Sequence, residues 1–121
     1  MPERNVRIDG IALVLEDDLI IGLDLADTLA EAGAEARQAT TVAEALAVVE
    51  AEALRVALLD VNLGSETSRP VAEALAARGV PFLLITGYGD GDVTAAYPEA
   101  PVLRKPFAPA ELRAHLTDLL S

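Results

Sequence analysis

The chain contains no cysteine and no tryptophan, a single histidine and a single methionine, and aromatic residues make up only 3% of it. Without cysteine there is no disulfide framework, no thiolate metal site and no cysteine nucleophile. With so few rings, the core has to be assembled from Ala, Leu, Val and Ile. Basic residues are also scarce, nine against 20 acidic ones, giving a net charge of −11 over 121 residues. That balance excludes the basic face that nucleic acid requires. No apolar run approaches the roughly 18 residues of a membrane span. The polar N-terminus, Met1 to Gly10, has no apolar stretch of a signal peptide behind its charges. The expectation is a soluble, cytoplasmic protein that binds neither nucleic acid nor membrane.

What is present is an apolar majority, 52% of residues, which excludes a disordered acidic tail. The length suits one domain, expected over residues 10–121 behind a short N-terminal tail, residues 1–9. Short continuous apolar runs, as in strands covered on both faces, are Ile11–Leu15, Val56–Leu59 and Pro81–Ile85. Residues 35–39 form a more polar strand suited to an edge, and Pro101–Arg104 is the last strand expected. Helical segments alternate with them. Leu19, Ile20, Leu23, Ala26 and Ala30 recur at helical spacing over Leu19–Ala32, with Gly33 as a stop. Thr40 or Thr41 caps a second helix to about Ala53, with Glu44 completing a capping box. Residues 61–68 read as a loop, and Pro70 opens a third helix that runs to Ala77 and stops at Gly79. Three glycines and a proline in residues 87–100 leave room only for a short helix. Leu112, Leu116 and Leu119 give a final amphipathic one. Five strand–helix alternations predict a doubly wound α/β sheet of flavodoxin-like type.

In such a sheet, function gathers beyond the carboxyl ends of the strands. The residues that follow the strands here are Glu16-Asp17-Asp18, Asp60, Thr86 and Lys105, the last being the only lysine among nine basic residues. Clustered carboxylates repel, and a cation held between them relieves this. Carboxylate oxygens, a backbone carbonyl and water suit Mg²⁺. A carboxylate can also attack phosphorus, giving an aspartyl phosphate. Phosphoryl transfer then needs mainly positioning and charge neutralisation, which Lys105 and a hydroxyl at Thr86 can help to supply.

Val14-Leu15-Glu16-Asp17-Asp18, Leu58-Leu59-Asp60-Val61-Asn62-Leu63, Ile85-Thr86-Gly87 and Arg104-Lys105-Pro106-Phe107 together resemble the receiver domain of two-component response regulators, in order and in spacing. The resemblance implies Asp60 as phosphoacceptor. It implies a Mg²⁺ site made by Asp17, Asp60, the Asn62 backbone carbonyl and, through water, Glu16. Thr86 becomes the switch hydroxyl and Lys105 the partner of the phosphoryl group, with a cis peptide before Pro106. Asp18, Gly87, Tyr88 and Pro106 are secondary candidates. Where the family usually has an aromatic switch residue, this chain has Val102, and Leu63-Gly64 replaces the common Met-Pro. Thr86-Gly87-Tyr88-Gly89 behind Pro81-Phe82 resembles the single-domain FATGUY subgroup, in which the fourth helix is short or labile. The implied partners are a sensor histidine kinase, which the subgroup resemblance places in the HWE or a related class, or a phosphotransfer protein, and a downstream protein. With Ser121 directly after the last helix, output is expected through a protein-binding surface of the fourth helix, fifth strand and fifth helix.

Other readings are weaker. A phosphorylation-independent docking module with a vestigial acidic site is the alternative, opposed by the complete acid–Thr–Lys set. An aspartate-nucleophile phosphohydrolase needs a second acid two residues after the nucleophile, and Asn62 cannot donate a proton there. The expectation is therefore a self-phosphorylating, autodephosphorylating acceptor and not a multiple-turnover enzyme. Asp18 also suits a helix cap, and Asp60 alone suits a strand-end turn. Gly87-x-Gly89-x-Gly91 lacks the dinucleotide-binding spacing. Asp90-x-Asp92-x-Thr94 lacks the glycine and glutamate of a calcium loop. His115, late in the last helix, suits the C-terminal dipole better than catalysis.

Overall fold

The computed structural model describes residues 6–87 and 92–120. Along the chain, β1 (Gly10–Leu15), α1 (Leu19–Glu31), β2 (Ala34–Ala39), α2 (Val42–Ala51) and β3 (Leu54–Asp60) come first. A hairpin, β4 (Asn62–Leu63) and β5 (Glu66–Thr67), leads to α3 (Arg69–Ala77) and β6 (Phe82–Thr86). The last elements are α4 (Asp92–Ala96), β7 (Val102–Arg104) and α5 (Pro109–Leu120). Five strands form one parallel sheet in the order β2-β1-β3-β6-β7. This is the expected flavodoxin-like doubly wound fold, with a fourth helix of only five residues.

The runs that build the centre are apolar at every position because both faces are covered. Period-two alternation splits them between two cores. Leu13, Leu15, Ala57, Leu59, Phe82 and Leu84 pack with Val42, Ala45 and Val49 of α2, Val71 and Leu75 of α3, and Val93 of α4. Ala12, Val14, Val56, Leu58, Leu83 and Ile85 pack on the other face with Leu25 and Leu29 of α1 and Leu112 and Leu116 of α5. Ahead of β1, Ile8 is fully buried and its N–H donates to Ala32 O at 2.8 Å, so part of the segment before the first strand belongs to the core.

Four local expectations need correction. The buried stripe of α1 is Gly22, Leu25, Ala26, Thr28 and Leu29, while Leu19, Ile20 and Leu23 are 66%, 74% and 54% exposed. Hydropathy could not choose the face, because the first turns of α1 are apolar nearly all round. Gly22 lies on the observed face, where a Cβ would stand 3.4 Å from Gln38 Oε1, in ordinary van der Waals contact. Residues 61–68, expected as a loop, contain the β4–β5 hairpin, turning through Gly64 with φ +76°. Only glycine adopts that angle without strain, so the turn is encoded by one residue. The second helix ends at Ala51 instead of Ala53. Its N-cap is Thr41, which accepts from Glu44 N at 3.1 Å, but Glu44 reaches past it to Thr40 N at 2.8 Å and Thr40 Oγ1 at 2.9 Å. These bonds hold the Glu44 carboxyl below its usual range. His115 lies before the final turn of α5, which carries no basic residue, so it does not cap the dipole.

The stop at Gly33 is present, with φ +101° one residue past the Ala32 cap. No helix among the described residues is long and apolar enough to cross a membrane.

The face of α1 is testable. Leu25→Ala should cost about 3 kcal/mol of unfolding free energy, because it opens a cavity in a closed core. Ile20→Lys and Leu23→Lys should each change it by less than about 0.5 kcal/mol. Urea denaturation of the three variants checks this, and equal losses would place the buried stripe on the other face.

Candidate functional site

Parallel register brings the strand ends into one crevice. Leu15 pairs with Leu59, so Glu16 and Asp60, the next residues on adjacent strands, stand side by side. They lie where the strand order reverses, the position at which such sheets bind ligands. Both are buried, at 2% and 4% exposure, in an otherwise apolar sheet edge. On the other side, Lys105 N donates to Thr86 O at 2.8 Å, anchoring the end of β7 against β6. The following Lys105–Pro106 peptide is cis, as the resemblance implied.

From there the Lys105 side chain reaches both acids. Its Nζ is 2.8 Å from Glu16 Oε1 and 3.5 Å from Asp60 Oδ2. The other Glu16 oxygen, Oε2, accepts from Asp18 N at 3.2 Å. Burial alone would lower the pKa of Lys105; the hydrogen bond and charge of Glu16, together with Asp60, outweigh it and hold the ammonium above its usual range. Asp60 is displaced in the other sense. Burial first, then the hydrogen bond and charge of Glu16, push its carboxyl up to about 7 against the pull of Lys105.

Asp17 completes the cluster. Glu16, Asp17 and Asp60 each offer a carboxylate oxygen, all within 4.8 Å of one another. Three carboxylates against one ammonium leave two negative charges, which a divalent cation would cancel. Hard oxygen donors suit Mg²⁺. Both Glu16 oxygens are already engaged by Lys105 and the Asp18 N–H, so Glu16 is better suited to act through water than as a direct ligand. The donor set fits the ion.

The remaining sequence candidates divide. Thr86, at 1% exposure, ends β6 one residue beyond Ile85, the strand partner of Asp60. Asn62 is exposed and begins β4, and the base of its hairpin is closed by Ser68 N donating to Val61 O at 3.2 Å. Glu16, Asp17, Asp60, Asn62, Gly87 and Lys105 line one pocket of about 460 Å³. Among the described residues, a Cβ on Gly87 would meet nothing within 4 Å. Asp18 also borders the pocket, but its carboxylate is spent on the N-cap of α1, accepting from Ile20 N at 2.9 Å and Ile21 N at 3.2 Å. Tyr88 lies outside the described residues. Val102, in place of the aromatic, is half-buried against the α2–α4 core.

Sequence reasoning missed a groove of about 580 Å³ beside this pocket, where Ile21 and Asp24 of α1 face Pro106 and Phe107. It shares Ile21, Gly87 and Lys105 with the acidic pocket. Its signal in the sequence is the apolar excess of α1, in which Ile21 falls outside the expected stripe of Leu19, Ile20, Leu23, Ala26 and Ala30.

The raised Asp60 carboxyl has a consequence for stability. Its folded pKa of about 7 exceeds the usual 3.8, so the folded state binds the proton more tightly. That contribution is complete below pH 4 and is lost as pH rises through 7. Asp60→Asn stays neutral throughout. In EDTA it should be more stable than the parent by about 2 kcal/mol at pH 8, and the gap should close towards pH 4. Urea denaturation across that range checks it; a pH-independent gap contradicts it.

No sequence-family model matches the chain, and no curated protein does. Solved structures match over nearly its whole length. A CheY-like response regulator receiver domain protein from Methanospirillum hungatei JF-1 is 26% identical, covering 93% of this chain and 94% of its own, with a TM-score of 0.81. SdrG from Sphingomonas melonis Fr1 is 40% identical, covering 94% of this chain and 98% of its own, at a TM-score of 0.78. The BeF3-activated conformation of SdrG from Pseudomonas melonis Fr1 is 42% identical over 95% of this chain and 98% of its own, at a TM-score of 0.75. With its fold matched over nearly the whole chain by receiver domains, and with a relative 40% identical over 94% of it, the chain belongs to the response regulator receiver family.

Proposed function

We propose that Asp60 accepts a phosphoryl group from a phosphohistidine of a histidine kinase or phosphotransfer protein. The observation that carries this reading is a buried carboxylate at a strand end, 3.5 Å from the only lysine of the chain. A carboxylate oxygen of Asp60 forms the new bond to phosphorus as the bond from phosphorus to the donor imidazole nitrogen breaks, and the imidazole departs with that electron pair. Attack needs ionised Asp60, and the Lys105 ammonium favours that form while Glu16 and burial oppose it. Lys105 and the Thr86 hydroxyl then hold the phosphoryl oxygens. Mg²⁺ would be held by Asp17, Asp60 and the Asn62 backbone carbonyl, with Glu16 acting through water, and would supply charge neutralisation at the phosphoryl group. Asn62 has no proton to give a leaving group, so the protein functions as an acceptor and not as a multiple-turnover phosphatase. A relative with a BeF3-activated conformation supports the reading, because that anion is a phosphoryl mimic.

The donor seats on α1. Leu19, Ile20 and Leu23 are exposed on the turns that flank the site, and the groove of Ile21, Asp24, Pro106 and Phe107 opens beside them. An exposed apolar cluster at the mouth of a polar site marks a protein contact. Output leaves through α4, β7 and α5, whose positions shift with the state of Asp60. The short α4 and the Pro81-Phe82 and Thr86-Gly87-Tyr88-Gly89 segments favour the FATGUY subgroup, and with it an HWE-class kinase.

With acetyl phosphate and Mg²⁺, the intact protein should gain the mass of one phosphoryl group, and Asp60→Asn should gain none. Leu23→Lys should gain it like the parent, yet accept it about tenfold more slowly from a phosphorylated histidine kinase. Equal gain by Asp60→Asn overturns the assignment of the acceptor.

A further inference from the structure

The opposite edge of the sheet, at the amino ends of β6 and β7, holds a third cavity, of about 450 Å³. Its walls are formed by Pro81, Phe82, Tyr97, Pro98 and Pro101, with Glu99 at its rim. Phe82 and Tyr97 meet edge to face, with ring centroids 5.3 Å apart and planes at 82°. These walls are stiff. Three of them are prolines with fixed φ, and the ring of Tyr97 is braced by the buried Phe82. A cavity that needs no ordering before it is filled loses little entropy on binding.

Glu99 sets the chemistry of the occupant. It is exposed, and no salt bridge among the described residues engages it. An aliphatic side chain in the cavity would satisfy the prolines and leave this carboxylate facing an apolar neighbour. A lysine would bring a compact ammonium that holds its water tightly. Arginine satisfies both surfaces: its stem lies along apolar walls, its planar cation stacks on an aromatic face, and its N–H groups pair with a carboxylate. The excess of 11 negative charges on the chain draws a cationic partner in. We propose that this cavity is a docking site for a protein partner that inserts an arginine side chain, stacked on Tyr97 and paired with Glu99.

The site is separate from Asp60, at the other end of the same strand, so an occupant leaves the phosphoacceptor accessible. The cavity lies on the α4, β7 and α5 surface, with Leu119 of α5 in its lining, so the inference deepens the output reading and rests on it, while the phosphoacceptor at Asp60 is tested separately.

The test is an amide NMR titration of the full chain with the peptide acetyl-Gly-Arg-Gly-amide. The control replaces arginine by citrulline, which has the same shape and no charge. Shifts are expected at Tyr97, Glu99 and Ala100, with citrulline binding about fivefold more weakly. Glu99→Gln, at an exposed position, should remove that difference. Tyr97→Leu should weaken the arginine peptide while keeping an apolar wall. Absence of shifts at these residues overturns the proposal, as do shifts confined to the acids of α1. Equal affinity for both peptides overturns it as well, and assigns the cavity to a neutral occupant.

Discussion

One ammonium between two buried carboxylates organises the functional edge of this protein. Glu16 and Asp60 end up side by side because β1 and β3 are adjacent parallel strands in register, and both are too apolar to be anything but interior. Two buried acids cannot both stay ionised without a partner. Lys105 is the partner, delivered by a strand that pairs only with β6, and its contact with Glu16 at 2.8 Å is shorter than that with Asp60 at 3.5 Å. This asymmetry matters. Glu16 is the acid held firmly, and Asp60 is the acid left with a high pKa and room above it.

The same constraint explains why the site needs so few residues. Apolar strands supply the rigid frame, and each polar residue begins where a strand ends. Asp18 is used on the cap of α1, which fixes the helix whose opening turns border the crevice. The net charge of −11 therefore has structure within it. Three acids, Glu16, Asp17 and Asp60, cluster at one strand-end crevice, and the single lysine stands against two of them.

Legibility in the sequence followed how strongly each feature is imprinted locally. The buried strands were readable because their residues are apolar at every position, and the site residues because they interrupt those runs. The face of α1 was not readable. Leu19, Ile20 and Leu23 are as apolar as Leu25 and Leu29, and the small residues of the buried stripe, Gly22, Ala26 and Thr28, carry little hydropathic signal. The β4–β5 hairpin escaped because two-residue strands have no period to detect. The cavity at the far edge is assembled from segments around residues 81, 97 and 119, so nothing short of the fold brings its walls together. Val102 brings no ring to β7, and the ring contact among the described residues, between Phe82 and Tyr97, lies in the same core cluster as Val102, near the amino ends of β6 and β7.

The central claim is that Asp60, and no other acid of the cluster, forms the bond to phosphorus. Borohydride reduces an acyl phosphate to the alcohol and so marks the acylated aspartate as homoserine. The protein should be phosphorylated with acetyl phosphate and Mg²⁺, reduced, digested and mapped by mass spectrometry. Homoserine at position 60 alone is the expected result. Homoserine at Asp17 or Asp18, or none anywhere in a protein that has gained phosphate, would contradict it.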